Sequence, residues 1–207
     1  MILIVILQYI MYNASLKKGL CMKKLLFTAL ITLSALSLNA NETRLLPFFE
    51  DDYCPAPTVA VMGGYGKYSD VTNSGGAMYG VELGFGCPVF EVKDVKIDQV
   101  LSLVHYSKNG LTTNSLEMNP RIYFDLNNKT KFGFGPGLGI LFTSNGSQSD
   151  TVYGIQVGAS LNYEINADMF IGIESRYQWA GDASLTNGAA NVDMNNHRTL
   201  LKVGTHF

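Results

Sequence analysis

Residues 151–163, TVYGIQVGASLNY, predict the fold class of the chain. From Tyr153 to Tyr163 apolar residues occupy every second position, and Gly, Gln, Ser and Asn occupy the positions between them. This alternation is typical of a β-strand, in which successive side chains point to opposite faces. The segment is long for a soluble strand, where about 5–6 residues are usual, and suits a tilted membrane strand of about 9–11 residues.

The same alternation returns along the chain after residue 58, interrupted by turn-forming residues and without sustained helical periodicity. These segments predict further strands near residues 58–69, 77–87, 96–107, 115–126, 131–142, 170–179 and 197–207. Together with the strand at 153–163, the set predicts eight strands.

Alternation alone fits a soluble sandwich, whose apolar face is the core, and an outer-membrane barrel, whose apolar face meets lipid. Aromatic residues near both ends of the apolar faces, such as Tyr153 and Tyr163, are typical of membrane barrels. The predicted connections also alternate in length, being long at 70–76, 109–114, 144–150 and 181–196 and short at 127–130 and 165–168. We therefore predict an all-β fold, an eight-stranded antiparallel up-and-down transmembrane β-barrel over residues 58–207.

The first 40 residues have the order of a secretory signal peptide. Lys23 and Lys24 precede an apolar run at 25–38, which is short for a spanning helix, and Ala40 is a small residue at the expected cleavage point. We expect an upstream extension at 1–21, a signal peptide at 22–40 and an acidic periplasmic lead-in at 41–57. A retained membrane anchor is the alternative.

Charge separates the leader from the rest of the chain. Four of the 15 basic residues and none of the 17 acidic ones lie in residues 1–40, so residues 41–207 carry a formal net charge of −6. An acidic body is a poor nucleic-acid binder. The composition therefore predicts export and argues against a nucleic-acid partner.

The C-terminus supports the barrel. Phe207 ends the chain, and Leu201 and Val203 precede it at alternate positions, with Thr205 between them and the end. This resembles the C-terminal signature of bacterial outer-membrane proteins, and residues 41–207 resemble the small eight-stranded barrels of the OmpA/OmpX type. The resemblance implies a monomeric outer-membrane protein of a Gram-negative bacterium, with lipid around it, both mature termini in the periplasm, and Phe207 as the signal for the barrel-assembly machinery.

The predicted inward positions carry charged residues, which must pair because an isolated buried charge is very costly. They are Glu82, Glu117, Arg121, Asp125, Glu174, Arg176, Arg198 and Lys202. Pairing of the last two strands brings Glu174 near Lys202. Such a lumen predicts a closed plug in a protein with a structural or surface-interaction role, or else a narrow porin-like channel for small polar solutes.

One segment raises the possibility of an enzyme. His105 and Ser107 lie on one strand face in HYSKNG, which resembles the His-x-Ser-Asn element of outer-membrane lipid A deacylases. Lys108 stands where that family has Asn, and alternation turns His105 outward and Glu117 inward. We therefore predict no catalytic residue and no enzyme, with a deacylase that uses His105 and Ser107 as the alternative.

Three further features concern partners and cofactors. Export would place Cys54 and Cys87 where a disulfide is permitted, but Pro55 and Pro57 obscure the direction of Cys54, so their pairing stays open. No metal or cofactor motif is found, and none is predicted. The Gly-, Ala- and Asn-rich connection at 181–196 is expected to be the most exposed segment and a place for surface ligands.

Overall fold

The computed structural model describes residues 43–69, 75–92, 95–185 and 191–207. The expected upstream extension and signal peptide lie outside these residues. Eight long strands form a closed barrel, and each is antiparallel to its neighbours. They are β1 Thr58–Tyr68, β2 Gly76–Gly86, β3 Lys96–Lys108, β4 Leu111–Asn127, β5 Thr130–Ser144, β6 Ser149–Glu164, β7 Met169–Ala180 and β8 Asn196–His206.

The barrel closes between its first and last strands. Their register runs from Asn196 opposite Tyr68 to His206 opposite Thr58, so both ends of the barrel chain lie at one rim, the termini rim. The prediction of an eight-stranded up-and-down transmembrane barrel is confirmed. The described part of the chain contains no helix with the length and apolar composition of a membrane span.

Two connections at the opposite rim, the distal rim, are shorter than predicted. β3 and β4 are joined by Asn109 and Gly110 alone, where a long loop at 109–114 was expected. Both residues have positive φ, 51° and 80°, as in the tight turns that favour Asn-Gly. The pairing then continues through Thr112 opposite Ser107. Similarly, only residues 145–148 separate β5 from β6.

The two faces of the wall differ as alternation predicts. On β4, Leu116 and Met118 are exposed on the outer face, while Glu117 and Asn119 between them are buried in the lumen. Exposed Val61, Leu103 and Leu201 continue the apolar outer face around the barrel. A continuous apolar exterior of this kind faces lipid in a transmembrane barrel.

Short elements lie at both rims. At the termini rim, strand Thr43–Leu45 pairs with Phe90–Val92, and a 3₁₀ turn follows at Pro47–Phe49. Near the distal rim, Asp182–Ala183 pairs with Val192–Asp193 within the connection from β7 to β8. These short elements are not part of the barrel wall and lie at the two openings of the barrel.

Candidate functional site in the barrel lumen

An ion-pair network crosses the middle of the lumen. Lys202 Nζ lies 2.8 Å from a Glu82 oxygen and 3.4 Å from a Glu174 oxygen. Arg121 pairs with Glu82 at 3.1 Å and also with Glu174, which accepts a further bond from Arg176. The five side chains come from β2, β4, β7 and β8, so the network ties opposite walls of the barrel together.

A second group of polar side chains adjoins this network. Arg198 pairs with Glu117, and its guanidinium also donates to Gln156 Oε1 at 3.1 Å. Gln156 Nε2 donates to Glu117 at 3.0 Å and to Asn119 Oδ1 at 2.7 Å. We call the seven buried ionisable side chains of both groups the charged layer: Glu82, Glu117, Arg121, Glu174, Arg176, Arg198 and Lys202.

Glycines on the inner face provide the volume for these long side chains. A Cβ added to Gly158 would lie 2.6 Å from Arg176 Cγ, and one added to Gly137 would lie 3.0 Å from Gln156 Cγ. Non-bonded carbon atoms pack best at about 3.5–4.0 Å, so both contacts would be repulsive. The glycine-rich strands therefore allow the Arg and Gln side chains to fill the lumen.

The predicted lumen residue Asp125 does not belong to the charged layer. Its side chain is exposed near the end of β4, opposite Lys131. The pairing of β4 with β5 shifts register between Asp125 and Asn127, and the alternation of buried and exposed positions is lost there. The alternation rule fails because the strand end projects past the closed part of the lumen.

Apolar side chains that sequence reasoning missed form a buried cluster in the distal half of the lumen. We call this set the apolar layer. The barrel wall contributes Met62, Tyr68, Met78, Val104, Tyr106, Leu111, Leu141, Val152 and Leu200, and the β7–β8 connection contributes Ala183, Leu185 and Met194. The inward positions near the distal strand ends carried this signal, because they hold Tyr, Leu and Val where charges stand in the middle of the barrel.

The connection at 181–196 was expected to be the most exposed segment, and its described parts, 181–185 and 191–196, contain both exposed and buried residues. Ala183, Leu185 and Met194 are fully buried against the barrel residues of the apolar layer. Ser184 N donates to Asp150 Oδ2 at 2.7 Å, and Ala180 N donates to Asn195 Oδ1 at 2.8 Å. Apolar burial thus draws the two described arms of the connection over the lumen, and hydrogen bonds hold them there.

A small polar cavity lies on the other side of the charged layer, near the termini rim. Its volume is about 30 Å³, and Glu82, Lys96, Asp98, Lys131 and His206 are among its lining residues. A space of this size holds about two water molecules. The cavity reaches the charged layer at Glu82.

His105 and Ser107 lie on the outer face, as alternation predicts. His105 Nδ1 lies 2.8 Å from Asn114 Oδ1, and its ring packs on Tyr79 with centroids 4.9 Å apart. Ser107 Oγ lies 3.1 Å from Thr112 Oγ1. Each side chain is therefore bonded to its cross-strand neighbour, and Glu117 points away from both into the lumen.

The disulfide considered for Cys54 and Cys87 is not formed. Both cysteines are free, Cys54 exposed and Cys87 buried. Gly86 N donates to Pro55 O at 2.7 Å, and this bond joins the two segments with one thiol turned to solvent and the other turned in. Within the described residues, no group of three His, Cys, Asp or Glu side chains is placed to hold a metal ion.

Comparison with solved structures defines the class of this protein. Neisserial surface protein A matches with a TM-score of 0.50 at 12% identity, over 73% of this chain and 97% of its own. The chain is thus a small eight-stranded transmembrane barrel with the fold of outer-membrane proteins. No protein-family model and no curated protein matches it.

Two other solved structures match with lower TM-scores. The attachment invasion locus protein Ail of Yersinia pestis has a TM-score of 0.47 at 11% identity, over 74% of this chain and 99% of its own. The outer membrane enzyme PagL has a TM-score of 0.45 at 14% identity, over 72% of this chain and 98% of its own. Fold does not specify activity, so the function of this chain depends on the residues of its own barrel.

Proposed function

We propose that the protein is a non-enzymatic, integral outer-membrane barrel that contributes to envelope structure or to surface interaction and whose lumen is closed. The observation that carries this proposal is the double closure of the lumen. The charged layer spans the middle of the barrel, and the apolar layer lies buried in the distal half. An eight-stranded barrel has an interior just wide enough for side chains to fill, and here they fill it.

The two layers exclude solutes for different reasons. A polar solute that enters from the distal rim must displace packed apolar side chains such as Leu141 and Met194, which have no exposed surface. A solute that enters from the termini rim meets the ion pairs of Glu82 with Arg121 and Lys202. Separating buried ion pairs leaves uncompensated charges, so spontaneous opening is costly.

The proposal includes an orientation in the membrane. Thr58 and His206 lie opposite each other at the termini rim, next to the exposed C-terminal residue Phe207. We place this rim in the periplasm, where the barrel-assembly machinery reads the C-terminal strand, and the distal rim with the β7–β8 connection outside. Surface ligands would then contact the distal connections of a monomeric barrel.

Conductance tests the closed lumen. The folded full-length chain is inserted into planar bilayers, with a large-pore porin in the same bilayers as the control for insertion and detection. We expect no conductance above background from the folded protein. Reproducible single-channel steps from folded protein would contradict the closed-lumen proposal.

The narrow porin-like channel is the second candidate, and the charge of the lumen gives it a specific form. The charged layer has four cations and three carboxylates. Arg176 Nη1 and Arg198 Nε, both buried, have no hydrogen-bond partner among the described residues. If the lumen conducts, we expect the excess positive charge to favour anions. The reversal potential in a salt gradient measures this preference.

The non-enzymatic part of the proposal rests on the bonds of His105 to Asn114 and of Ser107 to Thr112. A hydroxyl nucleophile needs an adjacent base, and here the two side chains are bonded to different partners. We expect unchanged lipid A after expression of the protein. Fatty-acid release that is lost in Ser107→Ala would instead support the lipid A deacylase.

A further inference from the structure

Residues 44–53, which we call the rim segment, expose an unusual number of large apolar side chains. Leu45, Leu46, Phe48 and Phe49 have exposed fractions of 76%, 51%, 61% and 78%, although they lie within five consecutive positions. Pro47 between them is buried. Contiguous exposed apolar surface of this kind marks an interaction site.

Hydrogen bonds fix the position of the rim segment. Leu46 N donates to Val89 O at 2.7 Å, and Tyr53 Oη donates to Gly86 O at 2.6 Å. Leu46 has a φ of 58° and precedes the 3₁₀ turn, which reverses the chain there. The exposed side chains are thereby held at the end of β2, and the segment is attached to the barrel.

The rim segment adjoins the lipid-facing surface of the barrel. Val59 and Leu83 are paired across β1 and β2, and both are exposed on the outer face close to the termini rim. Gly86, which the rim segment contacts, follows three residues after Leu83. The apolar surface of the rim segment therefore begins where the lipid-facing surface ends.

The charges of the rim segment indicate which kinds of molecule its apolar surface can bind. Its basic residue Arg44 lies 2.7 Å from Asp52, 3.7 Å from Glu50 and 3.8 Å from Glu91. With Asp51, the rim segment carries a net charge of −2. A surface with its cation already paired is not attracted to an anionic lipid or polyanion.

We propose that the rim segment is an interfacial anchor that inserts its apolar side chains among zwitterionic phospholipids at the termini rim. Phe48 and Phe49 enter the boundary between headgroups and acyl chains, while Glu50 and Asp51 stay at the level of the headgroups. Aromatic side chains favour this depth, and burial of apolar area supplies the attraction. The anchor would widen the contact of the barrel with one leaflet.

Tryptophan fluorescence in vesicles tests the anchor. The single tryptophan of the full-length chain is first removed by Trp179→Phe. Phe49→Trp is then added to this background. The protein is folded into phosphatidylcholine vesicles with or without bromine on the acyl chains. Leu116→Trp on the outer barrel face is the control for insertion, and Asp51→Trp is the matched control within the rim segment.

We expect bromine to quench Phe49→Trp by at least about half as much as Leu116→Trp, and Asp51→Trp much less, because quenching requires contact with acyl chains. Phe48→Trp repeats the measurement at a second position. Unquenched, red-shifted emission at both positions would place the rim segment in water. Unquenched but blue-shifted emission would indicate that the rim segment contacts protein, such as a second copy of the chain. Absence of quenching with either shift would overturn the anchor. Quenching of Leu116→Trp shows independently that the barrel is inserted.

Discussion

The charged layer and the apolar layer are built on the same eight strands, yet they hold the barrel closed by different physics. Glu174 is bonded to Arg121, Arg176 and Lys202, so each member of the charged layer depends on its partners. Leu141 contributes only through apolar packing, since it has no exposed surface and no polar atom in its side chain. A single substitution should therefore leave unpaired charge in the charged layer and empty volume in the apolar layer.

The largest effect is expected for Glu174→Gln. Three cations lose the carboxylate that they share, and each remains buried in the lumen. Removal of one partner from a buried ion pair typically costs about 3–5 kcal/mol. We expect a loss in this range in the free energy of unfolding, measured by urea titration of the protein in lipid vesicles.

Asp125→Asn is the matched control for this prediction. It makes the same change from carboxylate to amide on an exposed side chain, so the free energy of unfolding should change by less than about 0.5 kcal/mol. Equal losses of unfolding free energy in the two variants would show that the buried ion pairs of Glu174 stabilise the barrel no more than an exposed carboxylate does.

The apolar layer is tested by Leu141→Ala on β5. Leu141 is 0% exposed, and its truncation leaves a cavity, for which about 2–5 kcal/mol is usual. On the same strand, Leu138 is 38% exposed on the outer face. Leu138→Ala loses transfer free energy but leaves no cavity, since lipid fills the space, so we expect about 1–2 kcal/mol. Urea unfolding in vesicles measures both, and a larger loss at Leu138 would reverse the assignment of the two faces.

A smaller effect is expected at the turn that delivers Leu111 to the apolar layer. Gly110 has a φ of 80° and open space around its Cα, so Gly110→Ala adds conformational strain without a steric clash. Such strain costs about 1 kcal/mol. Gly63→Ala is the control, because that glycine has equally open space and no positive φ. Similar unfolding free energies for the two variants would show that the turn conformation is not strained by a side chain.

The charged layer was largely accessible from the sequence, and the apolar layer was not. Charged residues at inward positions stand out against an apolar outer face, and strand order alone placed Glu174 near Lys202. At the distal end of β5, inward Leu141 lies between Ile140 and Phe142 on the outer face, so period two no longer separates the faces there. On β3, inward Tyr106 lies between the polar outer residues His105 and Ser107, so the usual polarity of the two faces is reversed. Alternation also failed at Asp125, where β4 extends past the closed part of the lumen.

The β7–β8 connection shows a second limit of sequence reasoning. Its Gly, Ala and Asn content predicts solvent exposure, yet Leu185 and Met194 are buried against residues from several strands. Their burial depends on a surface that exists only after the barrel has closed. No local pattern in the connection encodes that surface, so its composition does not predict the burial of these two residues.

The smallest effect is expected for the ion pair of Arg44 with Asp52, which lies outside both layers and is exposed to solvent. The hydrogen bond from Arg44 holds the pKa of Asp52 below its ordinary value, and the charge of Arg44 acts in the same direction. A lowered folded-state pKa means that the pair stabilises the folded rim segment above the unfolded pKa of about 3.9. This contribution is lost as the pH falls through the lowered folded-state pKa.

We expect Arg44→Gln to return the pKa of Asp52 to its ordinary value, measured by NMR titration of the carboxyl carbon. The neighbouring Asp51 is the internal control, since it has no ion pair with Arg44 among the described contacts. Urea unfolding of the barrel should be almost unchanged in this variant at pH 7, because solvent screens an exposed ion pair and leaves it little effect on stability. A loss as large as that of Glu174→Gln would mean that solvent screening does not separate this pair from the charged layer, and the contrast between buried and exposed charge would fail.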